Sequence, residues 1–176
     1  MNLRRRQVIY GGALVTLGVV LMVVALQTSE RARIEKTVRA MARLCEMRDA
    51  EGLAAYLAPD YSGIVGTTRE EAIEKARRAF EDVDALRIKI LHVETEVDGD
   101  RAEAMVVFQS EGSVILADTK SRLPFKNMTA VSGQNAELVF TKFSKAGDKW
   151  LLAYATFDVR SKLPRFPRTA AFLARQ

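Results

Sequence analysis

The chain holds a single cysteine and a single histidine among its 176 residues. Cys45 by itself supports no disulfide framework within the chain and no cysteine-based metal cluster. It falls in a helical pattern, where a free thiol packs as a small hydrophobe. With only His92, a conventional zinc site is not expected, and neither is a cofactor. The sequence also lacks a glycine-rich phosphate loop and a serine nucleophile elbow. No basic strand face with interleaved aromatics is present, so nucleic acid is not an expected partner.

Charge is missing in two places. After Asp158 there are no acids, while Arg160, Lys162, Arg165, Arg168 and Arg175 follow. Residues 160–176 are therefore read as a solvated basic tail. A lesser reading has that tail touch anionic lipid, with Leu163, Phe166 and Phe172 at the interface.

From Val8 to Leu26 there is no charged residue at all. As a helix this run would extend about 28 Å, close to the hydrocarbon thickness of a bilayer. Its eleven Leu, Ile and Val residues favour insertion by roughly 3–6 kcal/mol, less a penalty for Gly11, Gly12 and Gly18. Arg4, Arg5 and Arg6 precede the run without acids, whereas Glu30 and Glu35 dilute Arg31, Arg33 and Lys36 after it. That contrast places the N-terminus in the cytoplasm and the rest in the periplasm or outside the cell. The rival is a cleaved, exported form with Val23 and Ala25 at the cleavage positions. The run exceeds the usual 7–15 residues of a signal core, which favours an anchor.

Beyond the run the pattern is helical. Ile34, Val38, Met41, Leu44 and Cys45 form one apolar stripe, breaking near Arg48–Asp49. A short helix with Leu53, Tyr56 and Leu57 follows and is expected to end at Pro59. "YSGIVGT" reads as a short strand, and Thr67 or Thr68 caps "REEAIEKARRAF". From Leu86 the period changes to two. "LRIKILHVETEV", "RAEAMVVFQSEGSVILA", "AELVFTKFSK" and "KWLLAYATFDV" are four antiparallel strands, with turns at "DGD" and "KAGDK". "DTKSRLPFKNMTAVSGQN" is a long connection, read as a flap or irregular edge. The order specifies an α+β domain: a curved antiparallel sheet packed by three helices, preceded by one N-terminal transmembrane helix. The boundaries are 1–28 for stub and anchor, 29–159 for the domain and 160–176 for the tail.

"MARLCEMRDAEGLAAYLAPDYSGIVGTTREEAIEKARRAF", with the closing strand "KWLLAYATFDV", resembles the nuclear transport factor 2-like superfamily over about Glu30 to Val159. Asp49, Leu53, Leu57 and Asp60 fill places comparable to that family's helix-to-strand passage. The resemblance implies a cystatin-like cone enclosing a pocket, like the SnoaL and ketosteroid isomerase group in fold only. Isomerase-type members carry a carboxylate in the short strand. Here that stretch is Ser62-Gly63-Ile64-Val65-Gly66, without an acid or histidine.

The pocket-lining candidates are Tyr56, Tyr61, His92, Tyr154 and Asp158. His92 follows Ile88 and Ile90 in phase, which would aim it into the cone if that face is buried. Trp150, Leu152 and Tyr154 read as one core stripe. No catalytic set emerges. The sequence is read as a membrane-anchored, non-catalytic interaction or ligand-binding module. A small apolar ligand and a homodimer through the sheet are its candidate partners. The alternative is a small isomerase or dehydratase with His92 or Asp158 as proton carrier.

Overall fold

A computed structural model describes residues 29–115, 121–126 and 136–175. The expected transmembrane segment, Val8 to Leu26, lies outside the described residues. Among the described residues no helix is long and apolar enough to cross a membrane.

Helix α1 covers residues 29–46. Arg48, with a positive φ of 58°, breaks it where the sequence predicts. Asp49 restarts the helical turn, its carboxylate accepting from the Gly52 amide at 2.7 Å to cap α2 (Ala50–Ala54). Strand β1 (Leu57–Gly63) follows, so Pro59 lies inside a strand rather than ending a helix. It is tolerated because β1 is an edge strand whose pairing is irregular between Leu57 and Ser62.

Helix α3 (Arg69–Asp82) is capped by Thr68, whose hydroxyl accepts from the Glu71 amide. Glu71 reaches back to accept from the Thr67 amide at 2.8 Å and hydroxyl at 2.6 Å. This reciprocal arrangement satisfies donors that the first helical turn leaves over. Lys75 adds an ion pair at 2.6 Å.

Strands β2 (Val83–Asp98), β3 (Arg101–Ile115), β4 (Arg122–Lys126), β5 (Glu137–Ala146) and β6 (Lys149–Thr156) complete one sheet. Its order is β1-β6-β5-β3-β2, with β4 on β3. The sheet is mixed, not wholly antiparallel as expected, because β1 runs parallel to β6. Helix α3 carries the chain from this edge to the far one. Part of the expected flap is a strand: Arg122–Lys126 pairs with Glu111–Ile115 of β3. Residues 118–120 and 127–135 of that connection lie outside the described ones.

Alternation along the strands gives two cores, one on each face of the sheet. On the helix face, Ile34 and Val38 of α1 pack with Ala102, Ala104, Val106, Phe143, Trp150 and Leu152. On the outer face, Met105, Val107, Leu138 and Phe140 pack with Val159 and Phe166. The C-terminal residues are thus not a free basic tail. They form a short 3-10 turn (Leu163–Arg165) and helix α4 (Pro167–Leu173) on the sheet. Phe166 is fully buried, edge-on to Phe140 at 6.0 Å. The basic residues stay at the rim, Arg165 pairing with Glu103 at 2.7 Å and Glu96 at 3.3 Å.

Two predictions follow from this packing. Phe166→Ala should cost about 3–5 kcal/mol in urea unfolding, the range for emptying a buried aromatic site; a loss below ~1 kcal/mol would mean that the segment is not docked in solution. Bonds from Lys75 and Thr67 hold the Glu71 carboxyl down to about 2, from an ordinary value of 4.5. Its stabilising contribution is complete above 4.5 and is lost as pH falls from there toward 2. Glu71→Gln should therefore flatten that stretch of the stability–pH curve.

Candidate functional site

Between α1 and the inner face of the sheet lies a cavity of about 180 Å³. Val38 and Met41 come from α1, Ile88 and Ile90 from β2, and Val106 and Phe108 from β3. Val139, Thr141 and Phe143 of β5 and Leu152 and Ala155 of β6 close it. Thr141 is the one polar side chain among these, and its hydroxyl donates to the Ala104 carbonyl at 3.1 Å. Among the described residues no titratable group lines the cavity.

None of the five candidates from the sequence lines it either. His92 departs from its expected place for a local reason. Ile90 faces Phe108 and His92 faces Val107, which leaves Leu91 as an extra residue, a β-bulge. One added residue shifts the side-chain phase. Ile88 and Ile90 face inward before the bulge, and Val93 and Val97 after it. His92, Glu94 and Glu96 are thereby turned to the outer face. There the imidazole stacks on Phe172 of α4, with centroids 5.2 Å apart and planes 9° from parallel. Its Nε2 is buried without a hydrogen-bond partner. Glu94 accepts from the Thr169 amide at 2.7 Å, the Thr169 hydroxyl at 2.8 Å and the Arg168 amide at 3.2 Å. It holds the first turn of α4 to the sheet.

A second bulge acts on β6. Phe143 faces Leu152 and Lys142 faces Tyr154, leaving Ala153 over. Trp150 and Leu152 remain in the inner core, but Tyr154 turns outward against Phe140, ring centroids 6.5 Å apart. Tyr61 is buried in the inner core beside the cavity. Burial pushes its phenol above the ordinary value, against a backbone hydrogen bond at Val65. Tyr56 is half-buried and lines a separate groove between α1 and β6. Asp158 is exposed.

Within the Ser62–Gly66 stretch, Gly63 has no room for a side chain. A Cβ on Gly63 would lie 2.6 Å from the Ala155 carbonyl oxygen and 2.9 Å from the Tyr61 hydroxyl. Cys45 offers no substitute nucleophile, since burial, with the Glu46 charge adding to it, raises its thiol to about 11.

Sequence reading overlooked one polar pair. Glu137 is 2% exposed, and Ser110 donates its hydroxyl hydrogen to the Glu137 carboxylate. Glu137 shares the strand phase of Val139, Thr141 and Phe143, and Ser110 that of Phe108 and Val106. The pair continues the cavity face by one step. "AELVFTK" already carried this signal, because its alternation puts Glu137 in phase with Val139. Glu137 is the buried acid among the described residues, and no cluster of His, Cys, Asp and Glu among them could hold a metal ion.

No family profile matches the chain, and no curated protein matches it in sequence. Solved structures do share its shape. A candidate scytalone dehydratase from Novosphingobium aromaticivorans superposes with a TM-score of 0.64 at 14% identity, over 76% of this chain and 85% of that one. A candidate dehydratase of the NTF2-like family from Streptomyces avermitilis gives 0.60 at 14% identity, over 73% and 95%. An NTF2-like superfamily protein from Salmonella enterica serovar Typhimurium gives 0.59 at 11% identity, over 74% and 90%.

The bulge makes a test. His92→Phe keeps the stack on Phe172 and removes an unpartnered buried nitrogen, so stability should hold or rise in a thermal melt. A loss above ~2 kcal/mol would show that the imidazole makes a polar contact that matters.

The cone of sheet and helices, the inner cavity and these structural likenesses together establish that the chain has the nuclear transport factor 2-like fold.

Proposed function

We propose that this chain is a membrane-anchored, non-catalytic binding module whose cone holds a small apolar ligand on the periplasmic or outer side of the membrane. The observation that carries the ligand reading is the lining: among the described residues, ten apolar side chains and one internally bonded threonine around about 180 Å³. Dry apolar cavities near ~150 Å³ accept benzene-sized molecules. A single-ring aromatic or short hydrocarbon therefore suits this one in size and polarity. The anchor reading is supported by the uncharged run from Val8 to Leu26 and the arginines before it. A homodimer through the outer sheet face would have to displace residues 163–173, which pack there.

A second reading keeps an isomerase or dehydratase, and Glu137 is what favours it. A buried carboxylate one strand step beyond an apolar cavity is a reasonable proton carrier. His92 and Asp158 do not serve that reading, one lying on the outer face and the other exposed.

Probe binding by the full chain in detergent separates the two. Val139→Trp should fill the cavity and abolish displacement of a fluorescent apolar probe by toluene, with the circular dichroism unchanged. The milder Ile90→Phe should weaken it. Glu137→Gln should leave toluene binding within about twofold. If Glu137→Gln abolishes dehydration of a hydroxylated single-ring compound by the wild-type chain, the enzyme reading replaces the binding one.

A further inference from the structure

A second concave site lies at the end of the domain where α1 begins. A groove of about 400 Å³ separates α1 from β6, lined by Arg33 and Lys36 on one side and Asp148 and Lys149 on the other, with Tyr56 between. Three cations thus meet one carboxylate. Arg33 is shared with Glu30 at 3.4 Å. Lys36 and Lys149 are exposed and have no acidic partner among the described residues. This differs from α3, where Arg77, Arg78 and Lys75 are all paired.

The groove is held open by a fixed wall. Trp150 donates its indole N–H to Glu30 at 2.6 Å, and Lys145 reaches the same carboxylate at 3.2 Å. These contacts tie the first turn of α1 to the β5–β6 hairpin, so Arg33 and Lys36 keep their places opposite Lys149. Lys36 stands seven residues past Ser29, about 10 Å along a helix. The apolar run ends at Leu26, so Lys36 is ten residues beyond it, about 15 Å of helical rise. The headgroup layer beyond the hydrocarbon is ~5–8 Å deep on each side, and cations within a Debye length of it are attracted to anionic lipid.

We propose that this groove binds the phosphate of an anionic lipid headgroup in the membrane that holds the chain. The proposal rests on the anchored reading above and gives that anchor a second, polar contact. Arg33, Lys36 and Lys149 supply charge-assisted donors to the phosphate oxygens. Tyr56 forms the wall between them. In the C-terminal segment Phe166 is buried and Leu163, Phe172 and Leu173 are half-buried against the sheet, so the proposal puts the lipid contact in this groove.

The test uses the full chain in nanodiscs of phosphatidylcholine, with or without phosphatidylglycerol. Lysine acylation rates are read by mass spectrometry. Acylation of Lys36 and Lys149 should slow several-fold in the anionic discs. Lys89 of β2 and Lys126 of β4, outside the groove, should not change. Equal rates in both discs overturn the proposal. Protection by inorganic phosphate in neutral discs, with none from phosphatidylglycerol, assigns the groove to a soluble anion and also overturns it. A chain that enters neither disc overturns the anchored reading, and this site with it.

Discussion

One extra residue in β2 governs the chemistry of this domain. With Leu91 bulged, the polar series His92, Glu94 and Glu96 leaves the inner face of the sheet. Without the bulge the same residues would follow Ile88 and Ile90 toward the cone. The inner face would then carry one imidazole and two carboxylates that its apolar neighbours could not satisfy. With it, the cavity lining stays apolar and Glu94 is free to hold α4. The second bulge at Ala153 works the same way, sending Tyr154 outward while Leu152 and Ala155 line the cavity. Pocket and C-terminal cap thus both depend on these two phase changes.

The outer face shows what the cap accomplishes. Met105, Val107, Leu138 and Phe140 would be a contiguous apolar surface if residues 163–173 were absent. Phe166 covers it, and Glu94, Glu96 and Glu103 neutralise or bond the basic segment that carries Phe166. Charge complementarity brings the segment to the right edge, and apolar burial supplies most of the stabilisation. The five cations after Asp158 therefore read misleadingly as a solvated tail. Their spacing left Phe166, Thr169 and Phe172 on one side, and it is that side which the sheet covers.

Much of the fold was legible in local chemistry. The α1 stripe, the break at Arg48–Asp49, the Thr68 cap and both strand turns rest on contacts between near neighbours in sequence. Features decided by distant partners were not legible. Pro59 is in a strand because β6 lies beside it, and the parallel β1–β6 pairing makes the sheet mixed. Each bulge is fixed by register against a second strand, so no window of β2 or β6 alone reveals it. The site reading failed for that reason: His92 and Tyr154 were assigned by simple alternation through a bulge. Glu137 was within reach of the same alternation, since no bulge lies between it and Val139.

The placement of His92 is the central claim, because the apolar cavity and the seated α4 both depend on it. Proton NMR with selectively labelled histidine and phenylalanine tests it directly. The account predicts nuclear Overhauser contacts from the His92 ring to the Phe172 ring and none to the side chains of Val38 or Met41. Contacts to Val38 or Met41, with none to Phe172, would place the imidazole inside the cone and contradict it.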